Sequence, residues 1–333
     1  MTRMAVVGVG SMGRNHVRVL MDLPDVEVVG LADPDTEAAG AVARKYRLPL
    51  YADYRQLFDE RTPEAVVIAV PTVHHREAVL AAFDRGIHVL VEKPIAASVG
   101  DAEELIAAAE RNTLVLGVGH IERFNPAVIE LKRRMDAGEL GRVFMIHARR
   151  QSPYPKRIQD VGVASDLATH ELDMMRYLTG SKVTSVSAEI LKVMQSNRED
   201  SIFGLLRFDN GVLGVLDVNW ITPTTVRELT ITGSRGMFVV NYHAQELAFF
   251  ENPAALVPAN ATNWMIGRDF TVDAGHMTRF QIARREPLRS ELESFVHCVR
   301  TGQRPLVTGE DGLHALRLAL DILADGERRL AGA

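Results

Sequence analysis

Three stretches of this chain carry residue types that can do chemistry at the spacings observed. The first is Gly8-Val9-Gly10-Ser11-Met12-Gly13, with Asp33 twenty residues beyond the last glycine. Between a strand and a helix, Gly8 permits a tight turn, Gly10 lets the backbone approach a pyrophosphate, and Gly13 lets helix and strand pack closely. The free N–H groups of the helix start, at Ser11 and Met12, then face the anion. A carboxylate at the place of Asp33 accepts hydrogen bonds from an adenosine ribose and repels a 2′-phosphate, and no arginine follows in Asp33-Pro34-Asp35. The expected cofactor is therefore NAD, with NADP left open, because Asp33 and Asp35 serve equally well as a turn and helix cap. The second stretch is Glu92-Lys93-Pro94, ending a predicted strand at the edge where open α/β sheets hold ligands. A lysine there can donate to a substrate oxygen; a surface Glu-Lys pair is the ordinary alternative. The third is Asp166-Leu167-Ala168-Thr169-His170, followed by Asp173. Residues three and four apart on a helix share a face, so all three can point into one cleft. His170 can take a hydroxyl proton near neutral pH, Asp166 can orient the imidazole, and Lys93 can stabilise alkoxide character. A lone helical histidine is more often a core or surface residue. Asp, His and Asp are also donor types of a metal site, but no further ligand motif accompanies them and no metal is expected.

The elements that must position these residues follow from hydrophobic periodicity. Strands are expected at 5–7, 26–31, 65–70, 87–91 and 114–118, alternating with helices at 12–22, 36–46, 74–85 and 99–111. This is the doubly wound α/β pattern, a parallel sheet wrapped by helices. After Gly119 the rhythm changes: a helix at 126–135, a strand at 143–149, a helix at 165–178, then strand-like runs at 183–190, 202–208, 212–218, 226–232, 237–240 and 247–250. Turn signals such as Asp209-Asn210-Gly211 separate the runs and predict a large, mostly antiparallel open sheet in an α+β domain. Two helices, 287–301 and 310–329, close the chain. The expected division is a nucleotide-binding domain at 1–119 and a substrate and oligomerisation domain at 120–333. A broad half-apolar sheet face is where a second copy packs, so a homo-oligomer is expected. Residues 252–275 have no clear period and read as a loop.

Bulk properties agree. The 333 residues suit roughly two domains, and 47% hydrophobic residues supply ample core. The 38 basic and 43 acidic side chains give a net charge of −5, which offers no global attraction for nucleic acid. One cysteine, Cys298, excludes an intrachain disulfide and fits a reducing compartment, so a cytoplasmic address is expected. No apolar run reaches the ~18 residues of a membrane span, and Met1 to Gly10 lacks the features of a secretory leader.

The glycine fingerprint at Gly8, Glu92-Lys93-Pro94 and the Asp166 to His170 pair together resemble the glucose–fructose oxidoreductase, inositol dehydrogenase and MocA (Gfo/Idh/MocA) family over nearly the whole chain. The resemblance implies an N-terminal Rossmann domain for NAD(P) and a C-terminal domain whose open sheet shapes the substrate pocket and the oligomer. It maps the family's catalytic lysine onto Lys93 and its Asp-x-x-x-His pair onto Asp166 and His170. Many members carry a glycine run before this aspartate, whereas here Gly162 is followed by Val163, Ala164 and Ser165. Pro71-Thr72-Val73-His74-His75 resembles the family's segment along the cofactor's ribose and nicotinamide, with His75 the better match, and Glu92 belongs to the same side. Arg123, in Gly119 to Pro126, is expected to face the substrate, although a linker arginine on the surface is the plain alternative. The wording of Gly119 to Pro126 and of Val161 to Leu178 resembles the UDP-N-acetylglucosamine 3-dehydrogenase branch. That implies NAD-linked oxidation of a nucleotide-sugar C3 hydroxyl to a ketone. Arg149, Arg150, Lys156 and Arg157 lie just before the catalytic helix, and Lys156 or Arg157 can hold a diphosphate; a solvated basic loop would look the same. A dehydrogenase of a free cyclitol or aldose would leave that cluster without a ligand. A cofactor-bound regulator would need neither Lys93 nor His170.

Overall fold

Short runs of Val, Ile and Ala bury both faces only as inner strands of a sheet covered on each side. In the computed structural model, which describes residues 1–155, 161–194, 198–252 and 276–332, the N-terminal part has that form. Its elements are β1 (Thr2–Val7), α1 (Ser11–Met21), β2 (Val26–Ala32), α2 (Thr36–Tyr46), β3 (Leu50–Tyr51), α3 (Tyr54–Arg61), β4 (Ala65–Ile68), α4 (His75–Phe83), β5 (His88–Val91), α5 (Val99–Asn112) and β6 (Leu116–Val118). The six strands are parallel, in the order β3-β2-β1-β4-β5-β6. The order reverses between β1 and β4, so a crevice opens beyond their carboxyl ends. Alternation with period two splits the core. Ala5, Val7, Val66, Ile68, Val89 and Val91 pack on one face, and Met4, Val6, Ala65, Val67 and Leu90 on the other.

The second part begins with α6 (Pro126–Asp136), capped by Asn125 on the Ala127 N–H, and β7 (Val143–Gln151). A π-helical turn, Ala164–Ala168, leads into α7 (Thr169–Thr179). There follow β8 (Val183–Leu191), β9 (Ser201–Phe208), β10 (Leu213–Asn219), β11 (Val226–Gly233), β12 (Gly236–Asn241), β13 (Glu246–Glu251) and β14 (Met277–Phe280). These eight strands form one sheet, β14-β13-β12-β11-β7-β10-β9-β8, antiparallel except for the β7–β10 pair. Along β9 the pattern is strict: Ile202, Leu206 and Phe208 are buried, whereas Phe203 and Leu205 are about half exposed.

The chain then returns through α8 (Pro287–Thr301) and α9 (Gly309–Gly332). Leu288, Leu292, Phe295 and Val296 of α8 join the core around Val17 and Leu20 of α1; Leu313 and Leu316 of α9 join the core on the other face of the parallel sheet. The described residues form two compact units. One comprises Met1–Phe124, Ala164–Met174 and Arg285–Ala324, and the other Asn125–Val163, Met175–Arg284 and Asp325–Ala333. The first unit thus takes in the start of α7, α8 and most of α9 as well as the N-terminal sheet. Among the described residues no helix is long and apolar enough to cross a membrane.

Candidate functional site

In the first unit, the strand-to-helix turn after β1 is shaped by two close backbone approaches. Gly8 has φ +85°, and a Cβ there would lie 2.5 Å from the Ala69 carbonyl oxygen; a Cβ on Gly13 would lie 1.8 Å from the Gly8 carbonyl oxygen. Gly10 faces open space, with nothing within 4 Å of such an atom. Gly10 also caps α1 without a side-chain hydrogen bond, and the first turn, with Ser11 and Met12 exposed, carries no acid. The free N–H groups and helix dipole are therefore available to an anion. Asp33 is fixed beside the turn, its carboxylate accepting from the Val9 N–H at 2.7 Å and the Asp35 N–H at 2.9 Å. Gly8, Gly10 and Asp33, with Pro34, Arg55, Pro71 and His74, line a cavity of about 550 Å³. An open glycine, a free helix N-terminus and a fixed carboxylate are what a dinucleotide requires, so the residues present fit NAD. Arg55 on this wall is answered by Glu77 and Asp53.

His74 lines the cavity, and His75 does not. The His75 ring is 1% exposed, with Nδ1 2.9 Å from the Pro94 carbonyl and Nε2 3.0 Å from that of Val70. Burial pushes its pKa down in spite of these acceptors. His75 therefore ties the turn after β4 to the Lys93-Pro94 segment, while Thr72 begins the short helical turn Thr72–His74.

Lys93 follows β5 at the same carboxyl edge. Its Nζ donates to the Asp166 carbonyl at 2.6 Å and to Asp166 Oδ1 at 3.1 Å. Asp166 sits in the π-helical turn, and His170 is half-buried one turn on, at the start of α7. The His170 ring stands perpendicular to that of His120, with centroids 6.4 Å apart. Asp166 is thus engaged by Lys93 through its carbonyl and one carboxylate oxygen.

Asp173 and Arg123 depart from expectation together. Arg123 is 4% exposed; its Nε and a terminal nitrogen reach the two Asp173 oxygens at 2.8 and 2.5 Å, with Asp311 at 3.1 Å and the Leu306 carbonyl at 3.1 Å. Burial works against the guanidinium's charge, and the two carboxylates outweigh it and raise its pKa. A buried guanidinium needs such partners. Arg123 is accordingly turned into an ion cluster instead of offering a substrate contact, and Asp173 is committed to it.

Behind Lys93, a Glu92 oxygen lies 2.7 Å from His16 Nε2. Burial pushes the Glu92 carboxyl up, but the His16 hydrogen bond and the charges of His16 and Lys93 carry it below its ordinary value. Glu291 of α8 is 2% exposed, and burial, with the Glu92 charge added, drives its carboxyl well above the usual range. Glu92 is thus part of the support of Lys93. His16, Glu291, Asp311 and His120 escaped sequence reasoning. His16 lies at helical spacing from Gly13 and could have been read as a buried-face polar residue; Asp311 shows locally only its capping hydrogen bonds with Thr308, and Arg123 and Glu92, which Asp311 and Glu291 face, lie nearly two hundred positions away.

In the second unit, Arg149 of β7 faces Glu228 at 3.5 Å and Asp217 at 4.0 Å, and Arg150 is 2% exposed with its guanidinium over Tyr242. Lys156 and Arg157 lie outside the described residues.

Two outcomes follow. Arg123→Ala leaves Asp173 buried without its cation and should cost about 3–5 kcal/mol in denaturant unfolding. Glu291→Gln concerns pH. Above the ordinary glutamate value of 4.5, the native protein keeps a proton on Glu291 that the unfolded chain has lost, so native stability falls as pH rises through that window. The variant lacks this loss, and its Tm relative to wild type should climb from pH 4.5 upward; a flat difference would show that Glu291 is not the protonated acid.

Residues 2–120 match the family described as an oxidoreductase family with an NAD-binding Rossmann fold, and residues 128–239 match the GFO/IDH/MocA C-terminal domain. The chain is 28% identical over 331 residues to scyllo-inositol 2-dehydrogenase (NAD(+)) of Bacillus subtilis, covering 96% of this chain and 92% of the relative. It is also 28% identical over 320 residues to UDP-N-acetylglucosamine 3-dehydrogenase of Acidithiobacillus ferrooxidans, covering 96% of each. A solved structure of the UDP-N-acetylglucosamine 3-dehydrogenase of A. ferrooxidans superimposes with a TM-score of 0.85 at 25% identity, over 98% of both chains. With a six-stranded parallel sheet bearing the glycine turn and a second, mostly antiparallel eight-stranded sheet, the chain belongs to the Gfo/Idh/MocA family of NAD-binding oxidoreductases.

Proposed function

We propose that the protein is an NAD-dependent dehydrogenase that oxidises a secondary hydroxyl of a sugar to a ketone, with C3 of UDP-N-acetylglucosamine as the first-choice substrate. The observation that carries this reading is the Lys93 ammonium held on Asp166, with His170 one turn on, in the unit that also bears the open glycine turn. NAD, when bound, supplies the hydride acceptor. Lys93 donates a hydrogen bond to the substrate oxygen and stabilises the negative charge that grows there. His170 takes the hydroxyl proton, a role suited to an imidazole near neutral pH. Asp166 fixes the lysine, and Asp33 holds the adenosine ribose at the other end of the cofactor.

The nucleotide-sugar choice draws on the A. ferrooxidans relative and on the wording of residues 119–126 and 161–178. A free cyclitol or aldose is the second reading. It is favoured by the equal identity of the scyllo-inositol enzyme and by Arg149, whose charge Asp217 and Glu228 already answer. Purified protein mixed with NAD and, in parallel, UDP-N-acetylglucosamine, myo-inositol and glucose separates the two readings through the absorbance of reduced nicotinamide and mass spectrometry of the ketone. Lys93→Ala and His170→Ala should each lose at least about a hundredfold in kcat while NAD binding persists. Near-normal turnover in both would overturn the assignment, as would silence with every polyol, which is the behaviour of a cofactor-bound regulator.

The open face of the second unit's sheet, with Phe203 47% and Leu205 51% exposed, supports a homo-oligomer formed through that sheet. Light scattering should give a multiple of the chain mass, and Phe203→Glu with Leu205→Glu should return it to the monomer. An unchanged mass in the double variant would move the interface elsewhere.

A further inference from the structure

The cavity beside the glycine turn holds more than an anion turn and a ribose anchor. Besides Gly8, Gly10 and Asp33, its wall has an apolar part, with Pro34, Ala52, Val70 and Pro71, and a polar part, with Arg55, His74 and Glu77. A dinucleotide whose pyrophosphate lies at the helix start and whose ribose hangs on Asp33 brings its base against the rest of that wall. The apolar part can take the faces of any purine. Only the polar part can tell one purine from another, because purines of equal shape differ in the donors and acceptors on their edges.

Arg55 and Glu77 are half-exposed or more, yet they are held in place. Their ion pair joins the start of α3 to the first turn of α4. Asp53, which caps α3 by accepting from the Arg55 N–H at 2.8 Å, also lies 3.6 Å from a terminal nitrogen of the Arg55 guanidinium. The guanidinium carbon stands 4.8 Å from the centre of the Tyr54 ring, and that ring packs on Phe58 with centroids 5.6 Å apart. A free surface ion pair orders little. Here an aromatic face and a second carboxylate fix the plane of the guanidinium, and with it the directions of its N–H groups. The pairing uses one Glu77 oxygen and one Arg55 nitrogen; the second Glu77 oxygen and Arg55 Nε make no hydrogen bond among the described residues. His74 is exposed on the same wall, and an imidazole that can donate or accept favours neither kind of edge.

The wall therefore carries a fixed donor beside a fixed acceptor. Adenine is the complement of that arrangement: its 6-amino group donates, and the ring nitrogens on either side of it, N1 and N7, accept. We propose that Arg55 and Glu77 read the adenine of the cofactor, Glu77 accepting from the 6-amino group and Arg55 donating to the ring nitrogen beside it. The inference rests on the fit of this cavity to NAD and is independent of which hydroxyl is oxidised. Hypoxanthine has the same outline with a carbonyl oxygen in place of the amino group. It would set that oxygen against the Glu77 carboxylate, losing a hydrogen bond to a charged acceptor and facing lone pairs with lone pairs.

The test is calorimetric titration of the full chain with NAD and with nicotinamide hypoxanthine dinucleotide, which needs no turnover. Wild type should bind the hypoxanthine dinucleotide at least about tenfold more weakly. Glu77→Gln, whose amide can turn either its oxygen or its N–H groups to the base, should bring the two within about threefold of each other, as should Glu77→Ala. Arg55→Leu should weaken NAD about fivefold and the hypoxanthine dinucleotide less. Wild type that binds the two alike would overturn the proposal and leave the cofactor reading in place. Variants that weaken both dinucleotides equally would mean that the pair only ties α3 to α4, and would overturn it as well. Wild type that binds neither dinucleotide would take down the cofactor reading and the proposal together.

Discussion

A buried guanidinium is the constraint that the first unit of this protein is arranged around. Arg123 can lie 4% exposed only because Asp173 and Asp311 neutralise it, and those two carboxylates belong to different helices. Satisfying one charge therefore fixes the turn after β6, the helix that presents His170 and the start of α9. Desolvating three ionised groups costs several kcal/mol, recovered only if the geometry is kept, so the cluster acts as a register pin more than as a source of net stability. His170, three residues before Asp173, inherits its position from that pin.

A second buried network supports the lysine. Glu92 is charged and paired with His16, whereas Glu291, close enough to feel the Glu92 charge, keeps its proton. Two buried carboxyls cannot both ionise at low cost, and their surroundings decide which one does. The result is that the acid next to Lys93 carries the charge while the acid behind it, on α8, does not.

Much of this was legible in the sequence because it depends on short-range patterns. Period-two apolar runs and capping residues placed five of the six parallel strands, and the glycine spacing placed the anion turn where Gly8 and Gly13 do meet backbone. What escaped detection had no local signature. The two-residue strand Leu50–Tyr51 is too short to show a period, and Tyr54–Arg61 is mostly polar, with Leu57 and Phe58 its buried residues. Arg123 illustrates the limit most clearly. Its position in a conspicuous segment suggested a ligand contact, but its partners lie about fifty and nearly two hundred residues away, so only the folded chain shows that its charge is spent internally. The setting of His75 is equally hidden: two backbone carbonyls hold its ring, and carbonyls leave no mark on a sequence.

The π-helical turn at Ala164–Ala168 has a consequence for how the two acids of this segment are shared. In an uninterrupted α-helix, residues seven apart come round to nearly the same angle, so Asp166 and Asp173 would line up and compete for one cation. A turn wound more widely shifts the phase between them. Asp166 then falls to the lysine and Asp173 to the arginine. One loosened turn is in this sense an angular offset that lets a single helix serve two cations.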